Sequence, residues 1–240
     1  MLVNSGDLTV ALYARGGFAK EQLNLFLERY APFQTDQIRK ELWTISFESL
    51  PPAFCLSASH YEAVSPLMKK NSPLEHFLYN RQENAFIFST LETSTALMQQ
   101  QIIYCILLLS TWWHTLNCGL LLHAAAVSHN DGGYLFLGKG GSGKTTVSSL
   151  SLDDGKKVLG DDLVVLSEED GKSFLLSTPN RQEQIISDFT ARPMIKGIFK
   201  LVKDNRDFLT PMTEIETAKT VFAGFNENYT SYNIDRKSTR

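Results

Sequence analysis

The chain has 240 residues, of which 43% are hydrophobic and 20% are charged, enough apolar material for one large domain or two small ones. A net charge of −3 gives no electrostatic basis for binding nucleic acid or an anionic membrane, so we expect neither as a partner. Cys55, Cys105 and Cys118 form no C-x-x-C pair, which predicts buried reduced thiols rather than a zinc site or a disulfide framework.

Residues 1–92 are predicted to form a small α+β domain. The first seven residues lack the basic and apolar regions of a signal peptide, so we expect a cytoplasmic protein. Alternating apolar residues predict strands at 8–14, 42–47 and 85–89. A helix is predicted over residues 20–30, because Leu23, Phe26 and Leu27 have helical spacing and Pro32 follows. Residues 53–82 are mixed, and nothing here indicates catalysis, so we interpret the domain as a scaffold or a substrate-presenting module.

Residues 93–240 are predicted to form a second domain that begins with a long helix at 94–116. The helix is apolar on most sides from Ile102 onward, yet its apolar segment is too short to span a bilayer. A buried strand is predicted at 120–127, and Asn-Asp-Gly-Gly at 130–133 is a hairpin signal. The hairpin would pair this strand with the one at 134–137, which leads into a glycine-rich loop.

That loop, Gly-Lys-Gly-Gly-Ser-Gly-Lys-Thr at 138–145, matches the P-loop spacing G-x-x-x-x-G-K-[ST] between a strand and a helix. Its glycines permit positive φ, and successive N–H groups at a helix start form an anion-binding nest. Lys144 is expected to reach the β- and γ-phosphates, and Thr145 to ligate Mg²⁺. The predicted nucleotide-binding residues are Gly138, Gly140, Gly141, Ser142, Gly143, Lys144, Thr145 and Thr146. The alternative is a glycine-rich turn with a surface lysine.

Phosphoryl transfer also needs an acidic group that holds the metal or accepts a proton. Asp161 and Asp162 are the best candidates, because they follow the apolar Val158-Leu159 closely after the P-loop. The alternative is an acidic turn between two strands. Asp153 and Asp154 lie nearer to the loop in sequence, but Gly155 follows them and predicts a solvated helix end.

His123 lies in the apolar run before the P-loop strand, where a lone histidine is more often a core residue than a functional one. Beyond Asp162, strands are predicted at 163–166, 172–176 and 195–202, and a helix at 213–225. Thr213 and Glu216 form a capping-box pattern at the start of that helix. Residues 178–196 are interpreted as either a mobile lid or a simple connection.

Three blocks in this order resemble the catalytic domain of HPr kinase/phosphorylase over roughly residues 119–225: residues 122–127, 134–146 and 158–162. They look closest to short HPr-kinase-like proteins such as lasso-peptide kinases, and phosphoenolpyruvate carboxykinase has similar blocks. The resemblance implies an α/β fold with a mixed sheet around a P-loop core, to which the small N-terminal α+β domain predicted above is added.

The resemblance also implies site roles. Asp162 would be the general base, Asp161 would organise Mg²⁺, and His123 would belong to the phosphate or metal site, although the two aspartates are not told apart by sequence. Where the family has Glu-x-Arg-Gly, this chain has Met194 and then Lys196. Lys196 would act as a phosphate-facing cation, and Arg192 is a second candidate for phosphate or substrate. The family also has Glu at the position of Thr146.

The predicted function is a Mg²⁺/ATP-dependent kinase that phosphorylates a hydroxyl, with Ser or Thr of a precursor peptide or protein as the expected acceptor. Two alternatives are a nucleotide-binding regulatory module with little turnover and a small-molecule phosphotransferase. HPr kinases form hexamers, so a homo-oligomer is a further expectation.

Overall fold

The computed structural model describes residues 1–15, 17–48, 62–63, 77–80, 85–89, 95–179, 186, 188–206 and 208–231. The chain divides into two compact units, Met1–Ser110 and Thr111–Arg240. This division falls inside the long helix, whereas the sequence predicts a boundary ahead of it near residue 92. The first part of the helix is tied to the first unit by the buried hydroxyl of Ser5, which donates to Ser110 Oγ at 3.0 Å.

The first unit is a seven-stranded mixed sheet with strand order β3-β1-β2-β4-β7-β6-β5. Its elements are β1 (Leu2–Ser5), β2 (Leu8–Arg15), α1 (Gly17–Arg29), a short 3-10 helix (Ala31–Phe33), β3 (Gln34–Thr35), β4 (Glu41–Glu48), β5 (Glu62–Ala63), β6 (Phe77–Asn80) and β7 (Ala85–Ser89). Helix α2 (Thr95–Leu116) follows. The predicted strands at 8–14, 42–47 and 85–89 and the helix at 20–30 are confirmed. The sequence missed β1, β3, β5 and β6, because each has only two to four residues.

The second unit is built around a six-stranded sheet with order β10-β8-β11-β12-β13-β9, in which β8 also pairs with β9. Its strands are β8 (Gly119–His129), β9 (Gly132–Leu137), β10 (Lys157–Gly160), β11 (Leu163–Glu169), β12 (Lys172–Ser177) and β13 (Met194–Lys200). Helix α3 (Lys144–Asp153) follows β9, and helix α4 (Glu214–Ser231) follows β13. The additional β8–β9 pair closes the sheet on itself, and its enclosed core includes Leu122, Leu135, Leu159 and Leu175.

The weakest joint of this ring is the pairing of β12 with β13, which consists of one residue pair, Phe174 with Met194. Arg192 reinforces it, because its Nη1 atom lies 2.5 Å from Glu169 Oε2. The guanidinium carbon also lies 4.6 Å from the centre of the Phe174 ring, within cation–π range. Arg192 therefore connects side chains of β11 and β12 next to the start of β13.

Two local signals read from the sequence are confirmed at the atomic level. Asn130 and Asp131 both have positive φ, 47° and 60°, which is the backbone of a two-residue type I′ hairpin turn. Thr213 and Glu216 form the capping box of α4: Thr213 N–H donates to Glu216 Oε2 at 2.8 Å, and Glu216 N–H donates to Thr213 Oγ1 at 3.2 Å.

The cysteine prediction is confirmed in one case and wrong in another. Cys105 is a buried free thiol, and its burial raises the pKa of the thiol. Cys118 is exposed, because it lies in the turn between α2 and β8 with a φ of 56°. Cys55 lies outside the described residues. Within the described part of the chain, none of the helices has both the length and the apolarity needed to cross a bilayer.

Asp188 ties the segment before β13 to the start of β10. Its Oδ1 accepts hydrogen bonds from the N–H groups of Thr190 (3.0 Å) and Ala191 (2.8 Å), and its Oδ2 accepts one from Lys157 Nζ at 3.0 Å. Desolvation by burial raises the pKa of this carboxyl, but the hydrogen bonds from Lys157, Ala191 and Thr190 outweigh it and hold the pKa below its ordinary value.

We expect Asp188→Ala to lower the free energy of unfolding by about 1–3 kcal/mol at pH 7, because two backbone donors and Lys157 lose their acceptor. The pKa of Asp188 is lower in the folded protein than its ordinary value of about 3.9 in the unfolded chain. Its ionised carboxylate therefore contributes fully to stability at pH values above about 3.9, and the contribution is lost as the pH falls through the folded-state pKa. Denaturant titrations between pH 3 and pH 7 should therefore show a difference between the two proteins that becomes smaller as the pH falls. A constant difference at every pH would contradict the assignment.

Candidate active site

The P-loop has the backbone that its glycines predict. Gly141 and Gly143 have φ of 77° and 110°, in the left-handed region that side chains rarely adopt. Gly143 is the N-cap of α3 and provides no side-chain cap, so the first turn of the helix presents its N–H groups without a side-chain partner. Thr145 and Thr146 are exposed on this turn. The loop and helix start together form a site suited to an anion such as phosphate.

Gly138 is required for a different reason, which is close packing. A Cβ atom at this position would lie 2.5 Å from Ser142 Oγ and 3.0 Å from the carbonyl oxygen of Leu201. Gly140 differs, because a Cβ atom there would meet nothing within 4 Å. The base of the loop is therefore tightly packed, while its tip is open.

Lys144 is buried, with 7% of its surface exposed, at the first position of α3. Its ammonium group donates to the carbonyl oxygens of Gly138 at 2.6 Å and Lys139 at 3.3 Å. The cation therefore lies against the start of the loop, on the backbone that would surround a bound phosphate.

Strand β8 brings the three sequence blocks to one place. On one edge it pairs with β9, so that Ala124 lies opposite Leu137, the last residue before the P-loop. On its other edge His123 lies opposite Leu163, and Ala124 N–H donates to the carbonyl oxygen of Asp162 at 3.1 Å. With strands about 4.8 Å apart, the start of the P-loop and the backbone of Asp162 are separated by about 10 Å.

The two aspartates have opposite environments. Asp161 is 2% exposed, and neither carboxylate oxygen has a hydrogen-bond partner among the described residues. The side chain of Asp162 is 37% exposed, and its Oδ1 lies 3.7 Å from Nε2 of His123. That distance is within ion-pair range and longer than a hydrogen bond. The structure thus separates two carboxylates that the sequence does not tell apart.

The residues present are compatible with magnesium bound together with a nucleotide. Mg²⁺ in phosphate-transfer sites takes one or two carboxylates, with phosphate and water oxygens as the other ligands. A buried carboxylate without a partner, as at Asp161, is costly unless a cation neutralises it. The described residues contain no cluster of three His, Cys, Asp or Glu side chains able to hold a metal by themselves. A metal at Asp161 and Thr145 would therefore depend on the nucleotide for its other ligands.

Lys196 and Arg192 are not brought to the P-loop. Strand β13 runs parallel to β9, and Lys196 falls between the pairs Ile195–Gly133 and Gly197–Tyr134. Its side chain packs beside Gly132, where an added Cβ would lie 2.8 Å from Lys196 Cγ. This is the hairpin end of β9, and Arg192 lies in the ring joint described above. The role of Lys196 and Arg192 in binding phosphate or substrate stays a prediction.

Helix α4 packs closely over the same point of the sheet, a contact that sequence reasoning missed. A Cβ atom at Gly224 would lie 2.5 Å from Leu137 Cδ2 and 3.6 Å from the carbonyl oxygen of His123. Val221 and Phe225 pack against the enclosed core on either side of this glycine. The available signal was a glycine inside a predicted helix, which often marks close approach of another element.

Comparisons with known proteins add little to this geometry. No protein family matches the chain, and no curated protein is similar to it in sequence. Among solved structures, the HPr(Ser) kinase/phosphatase from Coxiella burnetii is similar, with 20% identity and a TM-score of 0.29 over 38% of this chain and 71% of that one. A superposition this loose carries no argument about fold or function. The chain is a mixed α/β protein with two mixed sheets.

The packing around Gly138 leads to a paired prediction. We expect Gly138→Ala to lower the free energy of unfolding without nucleotide by about 1–3 kcal/mol, because the new methyl group overlaps Ser142 and the Leu201 carbonyl. Gly140→Ala should leave it nearly unchanged, because that position is open. Denaturant unfolding of both variants and the wild type tests this, and equal stability of the two variants would contradict the described loop packing.

Proposed function

We propose that this protein is a phosphotransferase that uses Mg²⁺-ATP to phosphorylate a hydroxyl group. The observation that carries the proposal is the meeting of His123, the P-loop and Asp162 at one point of β8. These residues come from three separate segments of the chain, and each has a different part in phosphoryl transfer. The turn that pairs with this strand also carries Asp161, a buried carboxylate without a hydrogen-bond partner among the described residues, which a glycine-rich turn without function would not require.

In this proposal the nucleotide phosphates lie on the N–H groups of residues 138–145 and on the first turn of α3. Lys144 and these N–H groups stabilise the negative charge that develops on the transferred phosphoryl group. Mg²⁺, when bound at Asp161 and Thr145, neutralises charge on the phosphate oxygens. Thr146 is the next residue of the same turn and belongs to the phosphate-binding face.

Asp162 is the proposed general base, because it is the more exposed of the two aspartates and faces His123. Its carboxylate takes the proton of the acceptor hydroxyl as the acceptor oxygen bonds to the γ-phosphorus. The bond between that phosphorus and the β–γ bridging oxygen breaks, and ADP leaves. His123 lies 3.7 Å away, within ion-pair range of the Asp162 carboxylate.

The proposed acceptor is a Ser or Thr side chain of a peptide or protein. Support comes from the partly exposed side chain of Asp162 and from the resemblance to HPr kinases in the blocks at 122–127, 134–146 and 158–162. The protein would then act on a macromolecular partner in a cell compartment that contains ATP.

The proposed base is tested by Asp162→Asn. We expect phosphoryl transfer from γ-labelled ATP to a mixture of Ser- and Thr-containing peptides to fall about 10²- to 10⁴-fold, because the acceptor loses its proton acceptor. The affinity for ATP should change less than threefold. Asp153→Asn is the matched control, because Asp153 lies at the exposed end of α3 and should leave transfer unchanged.

Two outcomes would oppose the kinase proposal. ATP binding by the wild type without transfer to any Ser or Thr peptide would favour the nucleotide-binding regulatory module. Unchanged ATP affinity in Lys144→Ala would show that residues 138–145 do not bind the nucleotide at all.

Asp161 gives a test that does not depend on the acceptor. Because its buried charge has no partner among the described residues, we expect Asp161→Asn to raise the free energy of unfolding without ligand by about 1–3 kcal/mol. The same variant should lose the stabilisation that Mg²⁺ with ATP gives to the wild type. Thermal unfolding with and without Mg²⁺-ATP measures both effects. A destabilised variant that retains the Mg²⁺ effect would show that Asp161 is a structural residue.

A further inference from the structure

Lys200 lies beside the first residues of the P-loop, whereas the sequence analysis predicted Lys196 as the phosphate-facing cation. Strands β9 and β13 are parallel, and Lys200 is paired with Leu137 at the end of both strands. The next residue, Leu201, donates its N–H to the Leu137 carbonyl oxygen at 2.7 Å. The Leu201 carbonyl also lies 3.0 Å from the place where Gly138 would carry a Cβ. The chain at 200–201 therefore runs along the base of the loop.

The two strands end at the same edge of the sheet because they are parallel. Among the described strands of this sheet, β9 and β13 form the parallel pair, and the others pair antiparallel. Ligands of parallel sheets bind outside the carboxyl ends of the strands. Strand β9 continues into the P-loop at its carboxyl end, and Lys200 is the last residue of β13.

The side chain of Lys200 is available for a ligand. The residue is exposed, and its ammonium group has neither an ion pair nor a hydrogen bond within the described residues. Hydrogen bonds from Thr213 lower the pKa of the Glu216 carboxyl, and the positive charge of Lys200 adds to this effect. Glu216 Oε2 accepts both donors of Thr213, so these contacts to the carboxylate come from Thr213 and not from Lys200.

Lys196 lies four residues before Lys200 on the same strand, which corresponds to a separation of about 13 Å. It lies at the hairpin end of β9, so it and Lys200 are two cations of one strand at opposite ends. Lys144 lies against the loop carbonyls of Gly138 and Lys139, at the floor of the phosphate site. A triphosphate carries more charge than one lysine neutralises, and its terminal phosphate extends furthest from the base of the nucleotide.

We propose that Lys200 binds the terminal phosphate of the nucleotide and lets the site distinguish a triphosphate from a diphosphate. The inference rests on the proposed function, because it takes residues 138–145 to be the phosphate site. It assigns to Lys200 the phosphate-facing role that the sequence gave to Lys196. Lys200 acts through its charge and its reach, as a flexible ammonium group does.

The test compares Lys200→Met with Lys196→Met, the same substitution at the two ends of β13. Titration calorimetry measures the affinity of each protein for Mg²⁺-ATP and for Mg²⁺-ADP. We expect Lys200→Met to weaken ATP binding about tenfold and ADP binding less than twofold, because one charge-assisted contact is lost from the terminal phosphate. Lys196→Met should change neither affinity, and Lys200→Arg should retain ATP binding within about threefold.

The outcomes separate this inference from the function on which it rests. If the wild type binds ATP but Lys200→Met changes the ATP and ADP affinities equally or not at all, the proposed role of Lys200 is overturned. The assignment of residues 138–145 as the phosphate site is then unaffected. Equal losses together with lower stability in the absence of nucleotide would make Lys200 a structural neighbour of Glu216. If the wild type binds neither nucleotide, both proposals are overturned.

Discussion

The hydrogen bonding of β8 on both of its edges is the constraint on which the site depends. One edge pairs with β9 and sets the start of the P-loop opposite Ala124, and the other edge accommodates β10, β11 and the turn that carries the two aspartates. Because backbone pairing fixes the spacing between strands, loops separated by many residues in sequence become neighbours at a set distance. A slip of β8 by one residue would also turn His123 to the other face of the sheet.

Two charged residues of the site, Asp161 and Lys144, are buried. Asp161 has no hydrogen-bond partner among the described residues, and Lys144 is buried with loop carbonyls as acceptors. Buried charges cost stability unless they are paired, so such groups are usually retained for function rather than for folding. The contrast between the buried Asp161 and the partly exposed Asp162 then divides the carboxylate chemistry in a way that adjacent residues in a sequence cannot show.

The two ends of the closed sheet carry different residues. At the end where β9 and β13 finish, the P-loop, the aspartate turn, Gly224 of α4 and Lys200 lie around one point. At the other end are the hairpin turn and Lys196. The joint between β12 and β13 has a single residue pair, and Arg192 reinforces it through Glu169 and the ring of Phe174. Arg192 thus contacts side chains of the ring, whereas Lys144 and Lys200 lie at the P-loop end of the sheet.

The sequence by itself determined the features that depend on consecutive residues. The P-loop, the hairpin turn at 130–131, the capping box of Thr213 and Glu216, and most strands and helices follow from local backbone preferences and side-chain periodicity. The tertiary structure alone decided the burial of Asp161, the position of Arg192 in the ring, and which lysine of β13 lies beside the loop. These depend on strand register and on pairing between distant segments, and a parallel register four residues different would exchange Lys196 and Lys200. A motif specifies its own shape, whereas its neighbours are specified by the fold.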